Sequence, residues 1–328
     1  MSLKTFSFAV LEAVQQEMQR DDKLTLLYEY QRPTAISPTG KVIDLYREFG
    51  PIRVPDWGPI DEEWFVGACA GMAMTGVPAI ARCPSMTKVR AFELVFNQVG
   101  KLRHMTGGQA SMPWVLWQDG AGRVAGSAGQ HADAGMEAWY AAIPGIKVVV
   151  PSTPYDAKGL MIAAIRDPDP VVFFDYAPLG RLIADVPDEP YTVPIGKAAV
   201  RQEGRDITLV GVGPAALEIS NALPQLASEG VSAEFIDPRS LKPLDLDTIL
   251  QSVRKTGRML VVDHGHYTGG TASQIVAQVA VNAPGVRVAM ITFPDAPPPG
   301  AREMITWMTP DAPKIVDAVK KLLTETAA

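Results

Sequence analysis

Three places along the chain carry residue types able to do chemistry. The first is the acidic run Asp61, Glu62, Glu63 in GPIDEEWFVG, where a helix rich in small residues (GACAGMAMTG) begins after Pro59. Acids at such a position can cap the helix and pair favourably with its dipole. An acid entering the apolar helix can instead be buried, and a buried carboxyl group can exchange a hydrogen bond with a ring nitrogen. Both readings of Glu62 stay open at this level. The second place is His131, in the Gly- and Ala-rich AGSAGQHADAGMEAW, where no apolar periodicity offers it a core to fill. It reads equally as a surface-loop histidine or a site histidine. The third is GVGPAA at 211–216, after a strand and opening a helix, with Glu234 and Asp237 ending the next strand. This fits a dinucleotide-binding turn, but tight strand–helix turns use glycine for geometry alone.

Other chemistry finds less support. His104 (RHMTGG) and the pair His264/His266 (DHGHYTGG) read as loop residues without the i, i+4 spacing of a helical metal site. Cys69 and Cys83 form no CxxC pair, so neither a disulfide framework nor a zinc site is indicated. No G-x-S-x-G elbow and no Walker loop occurs. A net charge of −6 without a Lys/Arg block argues against a nucleic-acid surface. The start, MSLKTFSFAVLEAV, lacks the pattern of a secretory signal, and no run of about 18 apolar residues is present. The expectation is a soluble, cytoplasmic protein.

The elements that must position these residues follow from periodicity. Phe6, Val10, Leu11, Val14 and Met18 recur at helical spacing and predict a helix over 4–20, followed by a buried strand, LTLLY, at 24–28. Residues 31–58 show no clear period and read as a long loop. Short apolar runs (PAIARC, PWVLWQ, KVVVPS, PVVFF) then alternate with helical stretches at 89–103 and 155–166. After the Pro-rich 177–196 the alternation resumes, with helices expected at 214–228, 245–254, 270–281 and 311–324. Such alternation points to two α/β domains, each built on a mostly parallel sheet with helices on both faces.

Taken in order, the segments resemble the β subunit of the thiamine diphosphate-dependent 2-oxo acid dehydrogenase E1 component (pyruvate, branched-chain or acetoin type), in the transketolase-like superfamily. GPIDEEWFVGACAGMAMTG is similar to its TPISE…FVG…A…TG block and NQVGKLRHMTGGQASMP to its NQ…K…MSGGQ…P stretch. GQHADAGMEAWYAAIPGIKVVVPSTPYDAKGLMIAAIRDPDPVVFF follows the family pattern throughout, and IGKAAV, IDPRSLKPLD and DHGHYTGGTASQI follow the transketolase C-terminal domain. The resemblance implies two three-layer α/β/α domains: a pyrimidine-binding domain over 1–185, then a transketolase C-terminal domain over 186–328. It also makes GVGPAA an ordinary turn of the second domain.

Carried over by residue, the resemblance makes Glu62 the glutamate that hydrogen-bonds N1′ of the cofactor's aminopyrimidine and promotes loss of the thiazolium C2 proton. It places Glu29 nearby as a partner of Glu62, and makes His131 the active-site histidine that meets substrate or acceptor. Ala164, Asp167 and Asp169, with the Trp114 carbonyl, fall where some members bind a structural potassium ion. The family holds Mg²⁺ and the cofactor diphosphate on a GDG…N motif of the α-type subunit, and nothing in this chain matches it. The resemblance therefore implies an α2β2-like heterotetramer with an α-type E1 partner, and a lipoyl-bearing acyltransferase downstream.

Departures from the family gather around the same pocket. Thr87 stands where an aromatic residue usually stacks on the aminopyrimidine, Met86 beside it can cover the ring instead, and Arg90 replaces a common Gln. Trp117 replaces an Arg, Asp133 the second polar residue of a QHSQ pattern, and QRPTAISPTG departs from the usual loop. The expected activity is decarboxylation of a 2-oxo acid with transfer of the acyl unit to a lipoyl or related acceptor, with altered substrate or acceptor. The alternatives are transketolase-like or acyloin-type transfer of a two-carbon unit to a carbonyl acceptor, and a non-catalytic structural subunit.

Overall fold

A computed structural model describes residues 1–29, 32–56, 61–84, 90–122 and 134–324. In chain order the elements as far as Ile195 are β1 (Ser2–Thr5), α1 (Phe6–Arg20), β2 (Thr25–Tyr28), β3 (Thr34–Ile36), β4 (Val42–Asp44), α2 (Leu45–Arg53), α3 (Glu62–Met74), β5 (Ala79–Pro84), α4 (Leu102–Met105), β6 (Trp114–Ala121), α5 (Met136–Ala141), β7 (Lys147–Val149), α6 (Pro154–Ile165), β8 (Val171–Tyr176) and β9 (Ile183–Val186). Beyond it come β10 (Ala199–Gln202), β11 (Ile207–Gly211), α7 (Ala215–Ser228), β12 (Ala233–Asp237), β13 (Ser240–Lys242), α8 (Leu246–Thr256), β14 (Arg258–His266), α9 (Thr271–Asn282), β15 (Arg287–Phe293), α10 (Arg302–Met308) and α11 (Ala312–Thr324). Contacts divide the chain into two compact units, 1–121 with 139–195 and 122–138 with 196–328.

In the first unit, β7, β8, β6, β5 and β2 lie side by side in that order, all parallel. The central strands are apolar end to end; every residue of β8 (VVFFDY) is buried, as a strand covered on both faces must be. Helix α1 packs on α6. Thr5 starts α1 by accepting from Phe8 N, while Thr153 starts α6 with Pro154 in its first turn. In the second unit the order is β10, β12, β11, β14, β15, parallel except for the β10 edge. Helix α7 packs with α11 and α8 with α9, and each pair lies against the sheet strands. Ile315, Val316, Val319 and Leu322 of α11 are buried in this core, with Leu323 packed against it. Both units are thus α/β with parallel-rich sheets.

Four local expectations differ from what is observed. The opening helix begins at Phe6 because residues 2–5 form a strand antiparallel to β9, a pairing across nearly the whole unit that local periodicity cannot show. Within 31–58 lie the β3–β4 hairpin and α2; strands of three residues are too short to alternate, and α2 is broken by Gly50 (φ 77°) before Pro51. The stretch 89–103 holds a π-turn over Leu94–Val99, closed by Gly100 N donating to Val95 O at 2.9 Å, with α4 following. That places His104 on a helix, though one of four residues. His264 and His266, expected in a loop, end strand β14.

Candidate active site

Parallel sheets bind ligands at the carboxyl ends of their strands. In the first unit those ends bring together Tyr28 and Glu29 after β2, Arg82 on β5, Trp117 to Asp119 on β6 and Asp175 on β8. Helix α3 packs against β2, β5 and β6.

The first turn of α3 separates two roles that its acidic run left open. Asp61 is the N-cap, its carboxylate accepting from Glu63 N at 3.0 Å and Trp64 N at 3.2 Å. Glu62, the next residue, is freed from capping and is buried, 4% exposed. Its Oε2 has no hydrogen-bond partner among the described residues. The Arg90 guanidinium approaches to 3.9 Å, an ion-pair distance too long for a hydrogen bond. A buried carboxylate oxygen left without a donor costs stability unless something fills the place. Glu62 therefore suits a ring nitrogen that shares a proton with it.

At the strand ends the polar groups are tied to one another. The Tyr28 hydroxyl donates to Asp56 at 2.5 Å, and burial together with that carboxylate holds the phenol protonated well above its ordinary range. Arg82 pairs with Asp119 at 2.7 Å and lies 4.7 Å over the Trp117 ring. Trp117 in turn donates from Nε1 to Asp175 at 3.1 Å. Trp117 stands where the resemblance implies an arginine, and the neighbouring strand supplies a guanidinium against its ring. Sequence reading passed over Arg82, although a lone charge within the apolar run PAIARC was a usable signal.

Among the other expected site residues, Glu29 is half-buried directly after β2. Met86, Thr87 and His131 lie outside the described residues. Asp167 accepts from Lys147 at 2.7 and 2.8 Å, and Asp169 pairs with Arg103 at 2.5 Å and with Lys147 at 3.4 Å. The Ala164 carbonyl accepts from Asp167 N at 3.3 Å. The two carboxylates are thus neutralised by side-chain cations. Among the described residues no group of three or more His, Cys, Asp or Glu side chains could hold a metal ion, and no helix is long and apolar enough to cross a membrane.

In the second unit the remaining motifs serve the fold. A Cβ on Gly211 would stand 2.8 Å from Ala216 Cα, so GVGPAA needs its first glycine for strand–helix contact. Glu234 pairs with Lys255 and Asp237 with Arg201. Asp263 accepts from Gly265 N at 3.0 Å and Ala272 N at 3.2 Å, serving the start of α9. Burial pushes its carboxyl up to about 6 despite those bonds. His264 is stacked on Phe293 at 5.8 Å, and burial pulls it down to about 4.

Known proteins resemble this chain along most of its length. Residues 4–177 match the transketolase pyrimidine binding domain, and residues 196–315 the transketolase C-terminal domain. The pyruvate dehydrogenase E1 component subunit beta of Porphyra purpurea is 37% identical, over 98% of this chain and 97% of that protein. The acetoin:2,6-dichlorophenolindophenol oxidoreductase subunit beta of Bacillus subtilis (strain 168) is also 37% identical, over 98% of both chains. The pyruvate dehydrogenase E1 component subunit beta of the same organism is 34% identical, over 98% of this chain and 99% of that one. Among solved structures, a split gene transketolase described as an inactive beta4 tetramer superposes with a TM-score of 0.76 at 24% identity, covering 96% of this chain and 97% of that one. That last likeness is one of fold.

Proposed function

The chain belongs to the transketolase-like family of E1 β subunits, and on that premise we propose that it is the β-type half of a thiamine diphosphate-dependent enzyme that, with an α-type partner, decarboxylates a 2-oxo acid. The acyl unit passes to a lipoyl or related acceptor. The observation that carries this reading is Glu62: a buried carboxylate at the first turn of α3, relieved of capping by Asp61, with one oxygen unsatisfied among the described residues.

The residues present fit the cofactor's aminopyrimidine. Thiamine diphosphate supplies an electron sink for the bond that breaks next to the substrate carbonyl. Glu62 would hold the ring nitrogen by a shared proton, and burial of its side chain keeps water from competing for that bond. Glu29, Met86, Thr87 and Arg90 would line the ring's surroundings, and His131 would meet substrate or acceptor. Mg²⁺ and the diphosphate would be held by the partner, because hard divalent cations need oxygen ligands arranged around phosphate and this sequence has no GDG…N motif to supply them. A potassium ion near Ala164, Asp167 and Asp169 would be held by main-chain carbonyls, since both carboxylates already face Lys147 and Arg103.

The test is co-expression with candidate α-type partners and calorimetric titration of thiamine diphosphate with Mg²⁺, for the pair and for each chain alone. Binding by the pair only is the expected result. A well-formed complex that binds no cofactor would leave a structural subunit as the function. The acetoin-type relative, as similar as the pyruvate-type one, supports a second reading, acyloin-type chemistry on a neutral donor.

A further inference from the structure

Arg90 is exposed over 61% of its side chain, yet its guanidinium reaches 3.9 Å from the buried Glu62 carboxylate. At that distance the pair attracts by charge without spending an N–H donor. A guanidinium carries five such donors in a planar fork matched to carboxylate geometry. Among the described residues Arg90 forms no hydrogen bond, and its one ion-pair contact there, with Glu62, is too long to use an N–H.

The surrounding field gives that fork a purpose. Asp61, Glu62 and Glu63 crowd the start of α3, and Glu62 is the buried one. A second anion entering beside Glu62 would meet an unscreened negative charge in a medium that screens poorly. Among the described residues the cation within ion-pair range of Glu62 is Arg90. A guanidinium between two carboxylates attracts both and removes their mutual repulsion. The carboxylate of a 2-oxo acid is bonded directly to the reacting carbonyl carbon, so it must enter the cofactor's pocket with it. A neutral acyloin brings no such charge and gains nothing from the fork.

We propose that Arg90 binds the substrate's carboxylate and thereby selects an anionic 2-oxo acid over a neutral acyloin. The proposal rests on the reading of Glu62 as the cofactor-facing acid. It gives Arg90, one of the residues that would line the cofactor ring, a second role in choosing the donor.

The experiment uses the enzyme assembled with its α-type partner, thiamine diphosphate and Mg²⁺, comparing wild type with Arg90→Gln, Arg90→Lys and Glu62→Gln. The probes are pyruvate as anionic donor, acetoin as neutral donor and acetylphosphonate as an unreactive anion titrated by calorimetry. Arg90→Gln is expected to raise KM for pyruvate and weaken acetylphosphonate binding by about 10- to 100-fold, the worth of a hydrogen bond to a charged group. KM for acetoin should rise far less than KM for pyruvate, thiamine diphosphate titrated in parallel separates any contribution of Arg90 to the cofactor ring, and Arg90→Lys should recover part of the loss. Equal losses for pyruvate and acetoin, or unaltered acetylphosphonate binding, would overturn the proposal alone. Wild-type turnover and cofactor affinity in Glu62→Gln would overturn the reading of the site itself, and the proposal with it.

Discussion

Asp61 and Glu62 are chemically near-identical neighbours with different tasks, and one peptide unit decides which is which. Asp61 spends its carboxylate on two backbone donors of α3, while Glu62 is buried and keeps one oxygen without a hydrogen-bond partner among the described residues. Replacing Glu62 by Gln should lower turnover of the assembled enzyme by roughly 10²- to 10⁴-fold, the usual worth of a positioned proton-transfer group. Steady-state rates at saturating cofactor check this. His264 makes a prediction in the other unit. Its folded-state value of about 4 lies below the ordinary 6.5, so the unfolded chain binds the proton more readily. Its contribution to stability is therefore full above about pH 6.5 and is lost as pH falls toward 4. Asp263, raised to about 6, acts oppositely between its ordinary 3.8 and that value. Comparing His264→Phe with wild type isolates the histidine: the melting-temperature difference should shift in favour of the variant as pH drops from 6.5 to 4. A difference constant with pH would refute this.

At the scale of the element, caps and glycines position the site. Asp61→Ala removes the N-cap of α3 and should cost about 1 kcal/mol in chemical denaturation. Gly145 has φ 86°, and a Cβ there would stand 1.9 Å from the Gly100 carbonyl oxygen, just past the π-turn. Gly145→Ala should therefore destabilise the chain by about 1–3 kcal/mol or more, readable in the same experiment. The alternation of apolar runs and helical stretches was legible, because buried parallel strands and amphipathic helices write their periods into local sequence. The π-turn at 94–99 was not: its geometry is set by the close passage of Gly100 against Pro144 and Gly145, which lie far along the chain. The β3–β4 hairpin was equally silent, because three-residue strands hold no repeat.

At the scale of the whole molecule, the first unit is held together by a buried ion cluster joining distant segments. Glu12 on α1 meets Lys4 of β1 at 2.5 Å and Lys158 of α6 at 2.9 Å, all nearly inaccessible, while Lys41 adds a third contact at 2.9 Å. Lys158 also donates to the carbonyls of Pro187 and Asp188. Burial works to raise the Glu12 carboxyl, but its lysine partners overcome it and leave it below the ordinary range. Glu12→Gln would take their shared carboxylate from two buried ammonium groups, leaving Lys4 its pair with Asp188 at 3.1 Å and Lys158 its carbonyls, and a loss of about 3–5 kcal/mol is expected from breaking a buried pair on one side. The denaturation midpoint of the full chain measures it, and a loss near zero would mean the cluster is dispensable. No local pattern marks Lys4, Glu12 and Lys158 as partners, since they meet only when α1 packs on α6 and β1 pairs with β9.

What the sequence determined by itself was the class of the longer helices and central strands, the alternation that makes two α/β units, the family to which the ordered motifs belong, and the acidic run at the start of α3. These are properties of neighbouring residues or of motif order, both of which survive without coordinates. Tertiary structure alone decided that Asp61 caps while Glu62 is buried, that Arg90 reaches Glu62, that Arg82 lies over Trp117, and that His264 stacks on Phe293. Each depends on burial or on charges brought close from different strands and helices. Desolvation and Coulomb attraction act through space, and they have no period along a chain.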